Sequence, residues 1–257
     1  MPQNKAIRVW IGLAVIVALA LFSVVFVWLA NKSLFSKNPR FTLRKIEVRS
    51  SGWWNGKDRN VAELLHLKPG ETNLFSTKLD IYIRRLQAEV PSVEKVSITR
   101  ILPDKLVFEI TERIPRAFLY SPKSVWVVDA NGIVMNRDTC INLDANLPVI
   151  GGFQSSESIH AGMPLANDIQ PALDLITTSL TGYRSVNIAA INLAKRGQCV
   201  FVVYYRGNFN DPFRVFMPTK NIKQMFRVLV STLEDIRAKD DPRREIDLRY
   251  NDRAVLR

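Results

Sequence analysis

Histidine and cysteine are almost missing from this chain, with two of each in 257 residues. His66 and His160 stand far apart, and neither Cys140 nor Cys199 belongs to a CxxC pair, so the usual ligand set of a protein metal site is not there. Two ordinary buried thiols are expected, with a single disulfide as the alternative in an oxidising compartment. No GxSxG, HExxH or phosphate-cradling glycine loop occurs. His66 trails the apolar face of a short helix and His160 lies in a Gly- and Ser-rich loop, neither beside a Ser or Cys motif. Asp129 precedes a turn and reads as its side-chain cap rather than as an acid. Asp240-Asp241, beside Pro242, reads as another turn. The chain is therefore expected to hold no catalytic residue, no metal and no cofactor. Internal repeats and low-complexity segments are absent too.

Charge is missing from one place in particular. Residues 9–30, VWIGLAVIVALALFSVVFVWLA, contain no ionisable side chain. As a helix this run spans about 33 Å, enough to cross the hydrocarbon core of a bilayer. Its apolar core is longer than that of a signal peptide, and no small-x-small cleavage site follows, so a retained anchor is expected. Trp10 and Trp28 sit near its two ends, where indole rings favour the headgroup level. Lys5 and Arg8 precede the run, while Lys32, Lys37, Arg40, Arg44 and Lys45 follow it. Charge counting alone leaves the orientation unresolved, because large domains translocate largely regardless of charge.

The formal net charge is +12. On a tethered chain that suits anionic lipid or wall polymer, and a solvated basic surface is the plainer reading. Nucleic acid is not expected as a partner, since the cations are spread among 24 acidic residues without a basic-aromatic cluster.

Beyond a polar linker, 31–40, the pattern becomes that of a folded body. Residues 41–49 read as a strand whose apolar phase shifts at Arg44-Lys45, as a bulge would cause. Residues 61–67 read as a short helix with Val61, Leu64 and Leu65 on one face, stopped by Lys68-Pro69-Gly70. Ser76 is the expected N-cap of a second helix with Leu79, Ile83, Leu86 and Val90 inward. Strands follow at 93–101 and 105–111, the second with Leu106, Phe108 and Ile110 facing in. This strand-helix-helix-strand-strand order resembles a POTRA domain. The matching pieces are Ile46-Glu47-Val48, Gly70-x-x-Asn73-Leu74-Phe75, Val90-Pro91-x-Val93, Arg100-Ile101-Leu102-Pro103-Asp104-Lys105-Leu106 and Glu112-Arg113-x-Pro115.

The remainder reads as a second module. Strands are expected at 125–129, 133–135, 147–150, 186–193, 200–205 and 214–217. A helix capped by Asp168, with Pro171 in its first turn, should bury Ile169, Ala172, Leu173, Ile176 and Leu180. A longer helix should bury Ile222, Met225, Phe226, Leu229, Leu233 and Ile236. One last strand should occupy 246–257. The tokens Trp126-x-x-Asp129-x-x-Gly132, Leu147-Pro148-x-x-Gly151 and Ile246-Asp247-Leu248-Arg249-Tyr250-x-x-Arg253-x-Val255-x-Arg257, behind a membrane helix and a POTRA-like segment, resemble the FtsQ/DivIB family of bacterial cell-division proteins. One departure is Met217-Pro218, where that family often has Leu-Gly.

The resemblance implies an α+β protein: a cytoplasmic tail (1–8), a single transmembrane helix (9–30), a linker (31–40), a POTRA domain (41–114) and a second α+β domain with a mostly antiparallel sheet (115–257). It implies a non-enzymatic scaffold in the inner membrane at the division septum, with the N-terminus cytoplasmic and the body outside. The implied partners are the small coiled-coil proteins FtsB and FtsL, with other divisome membrane proteins and the bilayer itself. The implied contact residues are Arg249, Tyr250, Asn251, Asp252, Arg253, Ala254 and Val255 in the last strand. An open edge there could accept an extended partner segment by β-strand addition; the bland alternative is an interior strand that fills the sheet. A POTRA-bearing chaperone or transport component, and a wall-modifying enzyme, are the competing functional classes.

Overall fold

The computed structural model describes residues 3–31, 35, 38–121, 125–140, 143–144, 146–154, 158–250 and 253–257, with the backbone alone described at 3–9, 11–13, 30 and 31. The chain opens with helix α1, Gln3–Asn31. Its large apolar side chains, where described, are between 51% and 69% exposed. Counted over the described residues, no helix is long and apolar enough to cross a membrane; the side chains described on α1 cover position 10 and then 14–29.

The chain, α1 included, divides into two compact units. The first comprises Met1–Ser50, Trp54–Leu86 and Val96–Ile110; the second comprises Ser51–Trp53, Gln87–Lys95 and Thr111–Arg257. A short 3-10 turn, Pro39–Phe41, precedes strand β1, Lys45–Ser50; then come α2 (Asp58–Leu64), α3 (Leu79–Glu89), β2 (Val93–Ile101) and β3 (Lys105–Glu112). These strands form a sheet in the order β1-β3-β2, with β1 parallel to β3.

The expected phase shift exists, although the strand begins only at Lys45. The amides of Arg44 and Lys45 both donate to the Asp104 carbonyl, at 2.8 and 3.2 Å. That doubling lets Leu43 on one side of it, and Ile46 and Val48 on the other, all turn inward at 8% exposure or less. Ser76 is not a helix cap. Helix α3 starts at Leu79, and the Ser76 hydroxyl donates to the Asn73 carbonyl in the preceding turn. Of the inward positions expected, Leu86, Leu106, Phe108 and Ile110 are buried, while Leu79 and Ile83 are half-buried. In α2 the buried face is Val61, with Leu65 just beyond its end, and Leu64 lies halfway.

The second unit is built on a nine-stranded mixed sheet. Its strands are β4 (Pro115–Leu119), β5 (Trp126–Asp129), β6 (Val134–Asn136), β7 (Val149–Gly151), β8 (Val186–Asn192), β9 (Gln198–Tyr205), β10 (Pro212–Pro218), β11 (Glu245–Tyr250) and β12 (Arg253–Leu256). The order is β12-β11-β10-β9-β8-β7-β4-β5-β6. The β4–β7, β7–β8 and β10–β11 pairs are parallel, and the other five are antiparallel. Helices α4 (Ala166–Gly182) and α5 (Ile222–Lys239) lie together on one face, α4 over β8 and α5 over β10 to β12. All six expected positions of α5 are buried. In α4, Ile169, Ala172, Leu173 and Ile176 are buried as expected, but Leu180, in the last turn, is 48% exposed and Leu175 takes its place inside. The helix also begins two residues before Asp168, so that carboxylate sits in the first turn, where the helix dipole favours it, rather than at the cap.

Asp129 does hold its turn. Its Oδ1 accepts the amides of Asn131 (2.9 Å) and Ile133 (2.8 Å), and its Oδ2 accepts Arg113 Nη1 at 2.9 Å. Gly132 closes that turn at φ +76°, with the Ala166 backbone so close that a Cβ would stand 2.6 Å from its nitrogen. Met217 and Pro218 simply complete β10, where Met217 is fully buried. Both cysteines are free thiols; burial pushes Cys199 up to about 12 and Cys140 up to about 11, so neither ionises near neutrality. Both histidines lie at the surface. His66 Nε2 is 3.1 Å from Arg85 Nη2, and His160 Nδ1 is 3.4 Å from the Ser158 carbonyl.

Candidate functional site: the β11–β12 edge

The last segment is not one strand. Strands β11 and β12 pair antiparallel, Ile246 with Leu256, Asp247 with Val255 and, past a register shift, Tyr250 with Arg253. Strand β11 is interior, held on its other side by β10, whereas β12 ends the sheet order. Among the described residues, the free edge at this end of the sheet therefore belongs to β12 and not to β11. Asn251 and Asp252, two of the expected contact residues, lie outside the described residues.

Register decides which groups that edge offers. Glu245 and Arg257 exchange both backbone bonds, at 3.2 and 3.0 Å. Hydrogen-bonded and non-bonded pairs alternate in an antiparallel ladder. Val255 therefore points its N–H and C=O into β11, and those of Ala254 and Leu256 point out along the free edge. The side chains of Ala254 and Leu256 pack, half-buried, against the core. Val255 (37% exposed) and Tyr250 (50% exposed) stand beside this edge as apolar surface, and Arg253 is exposed.

A fixed ionic clamp stiffens β11 behind the edge. Asp247 is only 2% exposed. Arg249 grips it with two bonds, Nε to Oδ1 at 2.8 Å and Nη2 to Oδ2 at 2.5 Å, and reaches Gln198 Oε1 at 3.1 Å. Arg257 Nη2 adds a longer contact to Asp247 at 3.6 Å. The Arg249 guanidinium holds the Asp247 carboxyl below the usual carboxylate range, and burial opposes it only in part. Arg249 is thus engaged within the sheet rather than held out as a free cation.

Sequence reasoning did not find Phe216. Its ring lies on the face away from the helices, with the guanidinium carbons of Arg214 and Arg249 at 5.2 and 5.1 Å from its centroid. The signal was available: Phe213, Val215 and Met217 alternate inward along β10, so Arg214 and Phe216 must face out. An open groove of about 700 Å³ runs beside them, lined in part by Val149, Val200 and Val202. Among the described residues, no group of His, Cys, Asp and Glu is arranged to hold a metal ion.

Comparison with known proteins gives the same direction. Residues 41–113 match the POTRA domain of FtsQ type. The cell division protein FtsQ of Koribacter versatilis (strain Ellin345) is 24% identical over 262 aligned positions, covering all of this chain and 72% of that protein. The cell division protein FtsQ of Syntrophotalea carbinolica (strain DSM 2380 / NBRC 103641 / GraBd1) is 27% identical over 166 positions, covering 64% of this chain and 54% of that protein. The chain carries an FtsQ-type POTRA domain, and the resemblance to the FtsQ family that its motifs suggest is borne out.

Proposed function

We propose that this chain is a non-enzymatic cell-division scaffold, anchored in the cytoplasmic membrane by residues 9–30, that holds extended segments of small coiled-coil partners of the FtsB and FtsL kind by adding a strand to β12. The observation that carries this reading is the open edge: β12 ends the sheet, with the backbone groups of Ala254 and Leu256 facing outward. An edge of this kind is a template for an extended peptide, and main-chain bonds supply the affinity. Tyr250 adds a large contact surface at low entropic cost. The anchor reading is supported by the uncharged run inside a 29-residue helix whose described side chains are exposed and, Ser23 apart, apolar. The relatives' names support the division role.

A fluorescent fusion imaged in dividing cells tests the role. Midcell enrichment is expected; an even membrane signal would sink it and favour a transport function. A phosphatase reporter after Arg257 tests the topology, with activity expected only if the body lies outside the cytoplasm.

A further inference from the structure

The first unit carries apolar surface at one end that its own core does not use. Phe35, Phe41 and Phe75 form a three-ring cluster, with centroids 5.9 Å apart for Phe35–Phe41, 5.1 Å for Phe35–Phe75 and 4.9 Å for Phe41–Phe75. Phe35 is 39% exposed; Ile101 and Leu102, at the tip of the β2–β3 hairpin, are 43% and 55% exposed.

Hydrogen bonds tie these pieces to the same end of the unit. The Leu74 amide donates to the Phe41 carbonyl at 2.9 Å. Asn73 Nδ2 donates to the Phe35 carbonyl at 3.2 Å. Arg100, beside the hairpin tip, donates through Nε to the Leu74 carbonyl (2.8 Å) and through Nη2 to the Thr77 carbonyl (2.7 Å). Asp104, on the other side of the tip, accepts the Arg44 amide. The segments meeting here, 38–45, 71–78 and 100–105, hold six cations (Arg40, Arg44, Lys45, Lys78, Arg100 and Lys105) against two carboxylates, Glu71 and Asp104. Both carboxylates have a cation nearby, Lys68 at 3.4 Å from Glu71 and Arg44 at 4.0 Å from Asp104. Lys105 is paired with Glu47 and Arg100 is engaged by the two carbonyls, so the exposed cations at this end are Arg40, Arg44, Lys45 and Lys78.

This end follows directly on α1, since Phe35 lies four positions after Asn31, where that helix stops. We propose that it is a lipid-surface contact, with the phenylalanine cluster and the hairpin tip at the headgroup level of an anionic bilayer and the surrounding cations against the lipid phosphates. The proposal rests on reading 9–30 as the membrane anchor. Aromatic and aliphatic side chains ringed by Lys and Arg are favoured at that level, and anionic headgroups strengthen the attraction. The contact would fix how the unit tilts on its anchor, a second restraint beside the helix.

Depth-dependent quenching on the full chain tests this. The chain is reconstituted in vesicles of phosphatidylcholine and phosphatidylglycerol in equal parts, in a Cys140→Ser background, Cys199 being buried and un-ionised. An environment-sensitive fluorophore is placed by Leu102→Cys, by Val24→Cys within α1, or by Phe209→Cys on the second unit. A headgroup spin label is expected to quench the Leu102 probe and blue-shift its emission, while leaving the Phe209 probe as in water. Arg40→Glu with Arg44→Glu, or phosphatidylcholine alone, should abolish most of that quenching. A Leu102 probe that behaves like the Phe209 probe, while a chain-level label still quenches Val24, overturns the contact and leaves the anchor standing. An unquenched Val24 probe removes the anchor, and the proposal with it.

Discussion

Proline placed at successive positions of β12 should separate folding from binding. Ala254 directs its N–H outward along the free edge, whereas Val255 directs its own into β11 opposite Asp247. Proline is tolerated on an edge strand where the lost N–H faces solvent, and not where it removes a ladder bond. Ala254→Pro therefore gives up no backbone bond of the free protein. Its stability should stay within about 1 kcal/mol of the parent, since the added ring replaces only a half-buried methyl. Val255→Pro removes one ladder bond and strands the Asp247 carbonyl, which should lower stability by about 1–3 kcal/mol.

Binding should show the opposite ranking relative to damage. An added strand would lose its bond to the Ala254 amide and keep an unsatisfied carbonyl, roughly 2–3 kcal/mol in all, or about a 30- to 150-fold rise in Kd. Chemical denaturation of the purified body gives the first quantity, and calorimetric titration with FtsB- and FtsL-type partner domains the second. If Ala254→Pro keeps both the stability and the affinity of the parent, strand addition does not occur at this edge. If it unfolds as readily as Val255→Pro, the assignment of outward and inward amides is wrong.

Four further substitutions probe the cores and turns of the two units. The folded-state pKa of Asp247 is depressed, so its contribution is complete above the unfolded value near 4 and is lost as pH falls through the folded value; Asp247→Asn should lower stability at pH 7 by about 1–3 kcal/mol and flatten the acid limb of a stability-against-pH curve. Phe108 is fully buried, and Phe108→Ala should cost about 3–5 kcal/mol in denaturant midpoint experiments, a loss below about 1 kcal/mol showing that its ring does not fill that core. Gly132→Ala combines a positive φ with a backbone collision at Ala166 and should lower stability by about 2 kcal/mol or more, whereas Gly197→Ala, at similar φ with open space around it, should cost no more than about 1 kcal/mol.

How far the fold could be read in advance differed by element, for physical reasons. Helix α5 was fully legible because its apolar stripe repeats at helical spacing over a helix covered by three strands. In α4 the same reasoning carried four positions and failed at Leu180, because the buried face toward the end of the helix runs through Leu175, Thr178 and Ser179 and leaves Leu180 outside it. It also passed over Ser179, a polar residue that is buried because its hydroxyl donates to the Val186 carbonyl at 2.5 Å. Sidedness failed more subtly at the C-terminus. Ile246, Leu248, Ala254 and Leu256 all share one parity, and all pack toward the core. Tyr250 and its partner Arg253 have opposite parity, and the register shift between Asp247 and Tyr250 restores the match, so that Ile246 faces Leu256 and the alternation reads the same for one long strand and for a hairpin. Nothing between Tyr250 and Arg253 offers the glycine that most tight turns use.

That ambiguity matters for the site more than for the fold. Read as one strand, residues 246–257 would have put Arg249 and Tyr250 on the free edge. Read as the hairpin, the edge passes to Ala254 and Leu256, Arg249 becomes the clamp on Asp247 inside the sheet, and Tyr250 ends β11 opposite Arg253. The side chains named from the motif and the backbone groups that can accept a strand are thus different residues a few positions apart. Truncating Arg249 should therefore act on stability through Asp247, and blocking the Ala254 amide should act on partner affinity alone. A variant set that scanned only the motif's side chains would mistake the first effect for the second.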